Sequence, residues 1–269
     1  MTSFRTIVLS CGDLGVQVAN ALQADGASQV VGLVVAPFDR RPRTLRAKFR
    51  HVIRRQGWLG LFAVMGAKIA SLARVRAPRG AVSAVSGVAL APGIERFDVT
   101  DFHAPESLSI IEALRPDLAI LAGTYILKES VFALPRHGSI NLHSGKVPEF
   151  RGAAPAFWEL YHGEKAVGVT IHRVDASLDA GPILAEEMFP IDTAPEGDPL
   201  TYIEQFRRDV LGPNGVRMLV ETVRALVEGK AKEIPQNHAL ARTFRSPDYR
   251  AVRELRSRVR TRRKRGGTK

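Results

Sequence analysis

Residues 6–36 read TIVLSCGDLGVQVANALQADGASQVVGLVVA, and their pattern decides the fold. Thr6–Ser10 is a short apolar run rich in β-branched residues, the composition of a strand. Gly12 and Gly15 interrupt it, Val16–Leu22 has apolar residues at helical spacing, and Val30–Ala36 is a second continuous apolar run. Strands without polar alternation, separated by a helix, predict a parallel sheet covered on both faces. Working outward, strands are predicted at Asp117–Ala122, Ser139–His143, Val167–Val174 and Ile183–Ile191. Helices are predicted at Pro105–Leu114, at Ala154–Gly163 and within Leu200–Glu228. The expected fold class is therefore α/β, with three layers around a mostly parallel, mixed sheet. The first turn, Ser10–Gly15, lacks the dinucleotide fingerprint, so no nicotinamide cofactor is expected. Asp13 in that turn either contacts an acceptor or caps the following helix.

Composition narrows the classes. The chain has 269 residues, 45% of them hydrophobic, enough to bury a core and to exclude wholesale disorder. A single cysteine, Cys11, excludes a disulfide framework and a cysteine-based zinc site, and no metal is expected. The start MTSFRTIVLS has no long apolar core, so no export signal is read there and a cytoplasmic location is expected. The formal net charge of +12 is unevenly placed. Arg40–Arg55 holds eight basic residues and no acid, and Arg250–Lys269 holds ten basic residues and one acid, Glu254. These two stretches exceed the whole excess, so the body of the chain is mildly acidic. A lipid surface or a nucleic acid is a candidate anionic partner at 40–55 and 250–269, while a solvated charge run with no specific partner is the leading reading of the tail.

Two segments break the alternation. Residues 40–76 are too long for a simple connection and join a basic half to the apolar half GWLGLFAVMGAKIASLA. Its glycines and Lys68 argue against a membrane span. It reads either as a helical insert packed on the domain or on a second copy of the chain, or as an interfacial helix that would place the protein at the membrane surface. In the tail, Val252, Leu255 and Val259 form a narrow helical stripe, and disorder is expected after Arg260.

The chemistry concentrates in residues 138–183, GSINLHSGKVPEFRGAAPAFWELYHGEKAVGVTIHRVDASLDAGPI. In a strand Ser139–His143, Asn141 and His143 project from one face, at the carboxyl end where open α/β sheets bind ligands. An uncharged amide donor beside a group that titrates near neutrality suits acyl transfer: Asn141 stabilises an oxyanion and His143 moves a proton. Asp179 could orient or polarise the histidine. Taken singly, such a histidine is more often a hydrogen-bonded structural residue, and an Asp in an Asp-Ala-Gly turn is usually a turn former.

Several segments in order resemble the folate-dependent formyltransferase family, which includes the methionyl-tRNA, glycinamide ribonucleotide and sugar N-formyltransferases. They are Gly123–Leu127, Asn141-Leu142-His143, Pro148–Gly152 (PEFRG), Gly168–His172 (GVTIH) and Leu178–Ile183 (LDAGPI). The resemblance implies a Rossmann-like catalytic domain over 1–235, with the insert at about 40–76 and a basic C-terminal extension over 236–269. It implies transfer of a formyl group from 10-formyltetrahydrofolate to an amine. Asn141 would hold the oxyanion, His143 would transfer the proton, and Asp179 would hold His143. Leu121, Gly123, Tyr125 and Leu127, with Gly145, Val147, Pro148 and Arg151, would line the pterin pocket. Lys146 departs from the family loop, where an apolar residue is common.

The acceptor is less defined. Only some 40 residues follow the last helix predicted before the tail, so the separate barrel domain of the methionyl-tRNA enzymes is not expected. A small-molecule or sugar-type amine is the leading acceptor. The alternatives are a methionyl-tRNA formyltransferase-like activity without that barrel, or a non-catalytic folate- or nucleic-acid-binding protein on the same fold.

Overall fold

The computed structural model describes residues 4–38 and 88–266. The insert at 40–76 and the basic run 40–55 lie outside the described residues.

The opening stretch forms strand β1 (Arg5–Ser10), helix α1 (Leu14–Asp25) and strand β2 (Gln29–Val35). There follow β3 (Arg96–Asp98), α2 (Pro105–Leu114), β4 (Leu118–Ala122), the short helix α3 (Glu129–Phe132) and β5 (Ser139–His143). Next come β6 (Arg151–Gly152), α4 (Phe157–His162), β7 (Ala166–Arg173) and β8 (Ile183–Pro190). The C-terminal part holds α5 (Pro199–Phe206), α6 (Gly212–Val227), β9 (Thr243–Phe244) and α7 (Tyr249–Gly266). The main sheet runs β3-β2-β1-β4-β5-β7-β8. Its first five strands are parallel, and β7 and β8 are antiparallel.

Both faces are covered, which explains the continuous apolar strands. On one side Val8, Ile120, Ile140 and Leu142 meet Val18 and Leu22 of α1 and Met218 and Leu219 of α6. On the other side Ile7, Leu9, Ala119 and Leu121 meet Ile111 of α2 and Val131 of α3. The period-two alternation of each strand divides its residues between these two cores.

Two features differ from the sequence reading. The single long helix expected within 200–228 is two, joined by a π-helical turn at Arg207–Leu211. Pro213 sits in the first turn of α6 and has no N–H to donate, so the bonding register changes ahead of it. The expected disorder after Arg260 is also wrong, since α7 continues to Gly266. Leu255 and Val259 are fully buried as the stripe predicts, each worth about 1.5–3 kcal/mol. The basic residues then add contacts that composition does not reveal. Arg262 donates to the carbonyls of Leu160 (2.7 Å) and Tyr161 (3.0 Å) at the C-terminal end of α4. Arg263 donates to the carbonyls of Pro195 and Gly197, and Arg256 pairs with Asp198 at 2.7 Å. Guanidinium groups that satisfy the end of a helix hold the tail down.

Candidate active site

Asn141 and His143 end β5, next to β4 in parallel register, with Leu121 directly opposite Asn141. On the other side β7 runs antiparallel, with His172 opposite Asn141 and Thr170 opposite His143. Gly168, Thr170 and His172 alternate along one face of β7, and each has a distinct task there. A Cβ at Gly168 would lie 2.7 Å from the Lys146 backbone, so only glycine admits the loop that follows β5. Thr170 Oγ1 donates to the Gly145 carbonyl at 2.8 Å and pins that loop. His172 reaches the site itself.

Hydrogen-bond partners fix the tautomers. His143 Nε2 lies 2.8 Å from the Phe150 carbonyl, which can only accept, so Nε2 carries the proton. The lone pair of neutral His143 is then on Nδ1, 3.7 Å from Asp179 Oδ2. A Cβ at Gly145 would sit 2.6 Å from Nε2 and 2.7 Å from the Phe150 carbonyl, so glycine is what lets the two meet. His172 Nδ1 donates to the Arg173 carbonyl at 2.7 Å, leaving Nε2 to accept from Asn141 Nδ2 at 3.2 Å. The other hydrogen of that amide faces Asp179 Oδ1 at 3.5 Å.

Asp179 comes from the β7–β8 connection and holds a left-handed backbone, φ 48°. Gly181 presses against β7, where a Cβ would lie 2.1 Å from the Arg173 carbonyl. This turn aims the carboxylate at the site: Oδ2 accepts from the Gly152 N–H at 2.8 Å, and Oδ1 lies 3.6 Å from His172 Nε2. Burial alone would raise the Asp179 pKa, but His172, His143 and the Gly152 N–H outweigh it and pull it down to about 2. Asp179 is therefore a fixed negative charge at neutral pH. Burial dominates at His143 and lowers its pKa, while Asp179 and the Phe150 carbonyl act in the opposite direction. The simple expectation that a nearby carboxylate raises this pKa captures one contribution and misses the larger one. The result is a neutral base with an anion beside its lone-pair nitrogen.

The residues expected to line the pterin pocket take several environments. Gly145 lies against His143, and Gly123 follows β4 with φ 70°. Leu121, Leu127 and Val147 are buried. The Tyr125 hydroxyl donates to Asp101 Oδ1 at 2.8 Å and accepts from the Phe102 N–H at 2.7 Å. The Pro148 carbonyl accepts from the Arg242 N–H. The Arg151 guanidinium turns to the C-terminal extension, donating to Gln236 Oε1 at 2.6 Å and to His238 Nδ1 at 2.9 Å.

That extension is the part of the site the sequence reading missed. Strand β9 pairs with β6, and Phe244 stacks on Phe150 and Trp158 at ring distances of 5.4 and 5.2 Å. Under it a recess of about 10 Å³ opens beside His143, walled by Ser144, Phe150, Trp158, Glu159 and Phe244 and roomy enough for about one water. A larger cavity, about 310 Å³, lies against β7 and β8, lined by Lys146, Glu149, Glu159, Glu164, Met188 and Arg242. Glu159 borders both; burial pushes its carboxyl up to about 7, against the Glu159 and Ala156 N–H groups it accepts from. Among the described residues no cluster of three or more His, Cys, Asp or Glu is arranged to hold a metal ion, and no helix is long and apolar enough to cross a membrane.

The chain is similar to several known proteins in sequence and in fold. A methionyl-tRNA formyltransferase of Acetivibrio thermocellus is 33% identical over 167 residues, covering 62% of this chain and 51% of the relative. The chain spans about half the length of the curated relatives it matches. Among solved structures, a glycinamide ribonucleotide transformylase of Symbiobacterium toebii superposes with a TM-score of 0.54 at 21% identity, covering 86% of this chain and 94% of that one. A sugar 3N-formyl transferase, solved in the presence of dTDP and 5-N-formyl-THF, gives 0.51 at 14% identity and covers 91% and 70%. These two show the fold. The sequence profile described as formyl transferase matches residues 64–208, more than half of the protein, and the chain belongs to that family.

Proposed function

We propose that the protein transfers a formyl group from 10-formyltetrahydrofolate to a primary amine of a small-molecule or sugar-type acceptor. The observation that carries this reading is the convergence of the Asn141 amide and neutral His143 on ionised Asp179, at 3.5 and 3.7 Å. The folate cosubstrate would bring the formyl carbon. The Asn141 amide can release its weak contact with Asp179 and donate to the formyl oxygen as negative charge builds there. His143 takes the proton of the attacking amine at Nδ1, the nitrogen whose lone pair its tautomer leaves free. Asp179 stabilises the imidazolium that results. His143 then returns the proton to the folate nitrogen as the bond to the formyl carbon breaks, so the charge balance closes.

A second reading, transfer to methionyl-tRNA, draws on the names of the curated relatives and on one surface. Arg250, Arg253 and Arg260 are exposed on α7, away from buried Leu255 and Val259, and the one acid of that helix, Glu254, is paired with Arg258. Such a stripe suits an anionic partner, whether a nucleic-acid backbone or a lipid surface. Incubation with 10-formyltetrahydrofolate and, separately, amino sugars, nucleotide-linked amino sugars and methionyl-tRNA tests both readings by the mass of the product. Formylation of a sugar amine supports the first reading, formylation of methionyl-tRNA alone supports the second, and consumption of the donor with none of them contradicts both.

A further inference from the structure

We infer that Gln236, which lies outside residues 64–208 of the family match, is a positioning residue that sets the Asp179 carboxylate against His143. This rests on the reading of Asp179 given above. The Gln236 side chain is 7% exposed and its amide is fully used. Nε2 donates both hydrogens to the 179–181 turn, to the Asp179 carbonyl at 3.0 Å and the Gly181 carbonyl at 2.7 Å. Oε1 accepts from Arg151 Nη2 at 2.6 Å. The next residue, Gly152, donates its N–H to Asp179 Oδ2. The contacts close a ring: carboxylate to Gly152, along the backbone to Arg151, across to Gln236, and back to the Asp179 carbonyl. Asp179 is thus gripped from its backbone and its side chain at once.

The grip matters because Asp179 needs it. A left-handed backbone is unfavourable for a residue with a Cβ and persists when neighbours over-determine it. On one side Gly181 is already pressed on the Arg173 carbonyl, so the turn cannot move that way. On the other side Gln236 supplies two donors. Gln236 is itself anchored: Ile234 and Ile183 exchange backbone hydrogen bonds at 2.8 Å, and β9 pairs with β6. His238 accepts from Arg151 Nη2 and keeps the guanidinium turned to this segment. The carboxylate makes no other close approach to His143 than 3.7 Å, so a small rotation of the turn changes the field at Nδ1.

The test is an NMR titration of His143 in the full chain for wild type, Gln236→Met, Asp179→Asn and the double variant. Asp179 of the β7–β8 turn, His172 of β7, the Phe150 carbonyl and, across the recess, Glu159 of α4 are the charged, titratable and hydrogen-bonding groups facing His143, and of these only Asp179 is contacted by Gln236. Gln236→Met should lower the His143 pKa in the same direction as Asp179→Asn and by less. The double variant should shift no further than Asp179→Asn alone, because coupled neighbours are not additive. A His143 pKa unchanged in Gln236→Met, or a full additional shift in the double variant, overturns the proposal. Should Gln236→Met fail to fold, Gln236→Asn, which keeps the amide but withdraws it by one methylene, is read by the same two outcomes. The titration requires no turnover, so an inactive wild-type protein would count against the formyl-transfer reading and leave this result standing on its own.

Discussion

Asp179→Asn separates the charge of the site from its shape. Asparagine is among the few residues that tolerate the left-handed backbone at φ 48°, so the turn should survive. The Gly152 N–H keeps an oxygen to bond, and the negative charge goes. At 3.7 Å and an effective dielectric of about 20, a unit charge acts on His143 with about 4 kcal/mol, or about three pKa units. Solvent and neighbouring dipoles compensate part of this, so the already depressed His143 pKa should fall by a further one to three units, on the order of the survey of buried groups. Formyl transfer should fall by about 10²–10⁴-fold, since the imidazolium loses its counter-ion, while affinity for a folate analogue changes little. Acid stability changes too. An Asp held at about 2 against an ordinary 3.8 contributes about 2 kcal/mol above the ordinary value, lost as pH falls towards 2, and the variant lacks that loss. The assays are a ring-proton titration of His143, single-turnover formyl transfer and urea unfolding between pH 2 and 7. An unchanged transfer rate with an unchanged His143 pKa would refute the reasoning and leave Asp179 a turn former.

Gly145→Ala places a methyl 2.6 Å from His143 Nε2, so the histidine loses its Phe150 partner; transfer should fall at least tenfold with the fold retained, checked by turnover and circular dichroism. Glu159→Gln removes a buried acid whose folded pKa of about 7 lies above its ordinary 4.5. The wild-type protein loses stability as pH rises from 4.5 to 7, and the variant should gain on the order of 3 kcal/mol relative to it between pH 4 and pH 8, read from denaturant midpoints. Arg262→Ala removes the α7 donor to the Leu160 carbonyl and leaves the Tyr161 carbonyl only the longer 3.4 Å bond from Arg258, and should cost about 1–3 kcal/mol of stability, where a solvated tail would lose nothing.

How far the sequence was legible follows from which interactions are local. Strand β5 and helix α2 match their predicted bounds because apolar runs and a leading Pro105 mark them in the chain itself. Asn141 and His143 could be placed together because two residues on a strand share a face, and the family motifs brought in Asp179. His172 stood inside a matched motif without a role, since only the β5–β7 register shows that it faces Asn141. Gln236 and Phe244 could not be found from spacing. They lie 57 and 94 residues from their partners Asp179 and Phe150, and neither belongs to a periodic pattern. The tail was misread for a similar reason: arginine composition signals solvation, while three-dimensional packing turns Arg262 and Arg263 into caps for carbonyls far away in sequence. The net pKa of His143 also needed structure, because burial and a nearby carboxylate act in opposite directions and only depth decides between them.

The central claim is that neutral His143 carries the proton in formyl transfer, and a comparison of wild type with His143→Ala tests it most directly. Both proteins are given 10-formyltetrahydrofolate and a panel of amines, with release of tetrahydrofolate and formylated product followed together. The account predicts amine-dependent, equimolar release by the wild type and a fall of about 10²–10⁴-fold in a folded His143→Ala protein. Equal rates in the two proteins, or no formylated amine from the wild type with any acceptor, would contradict it.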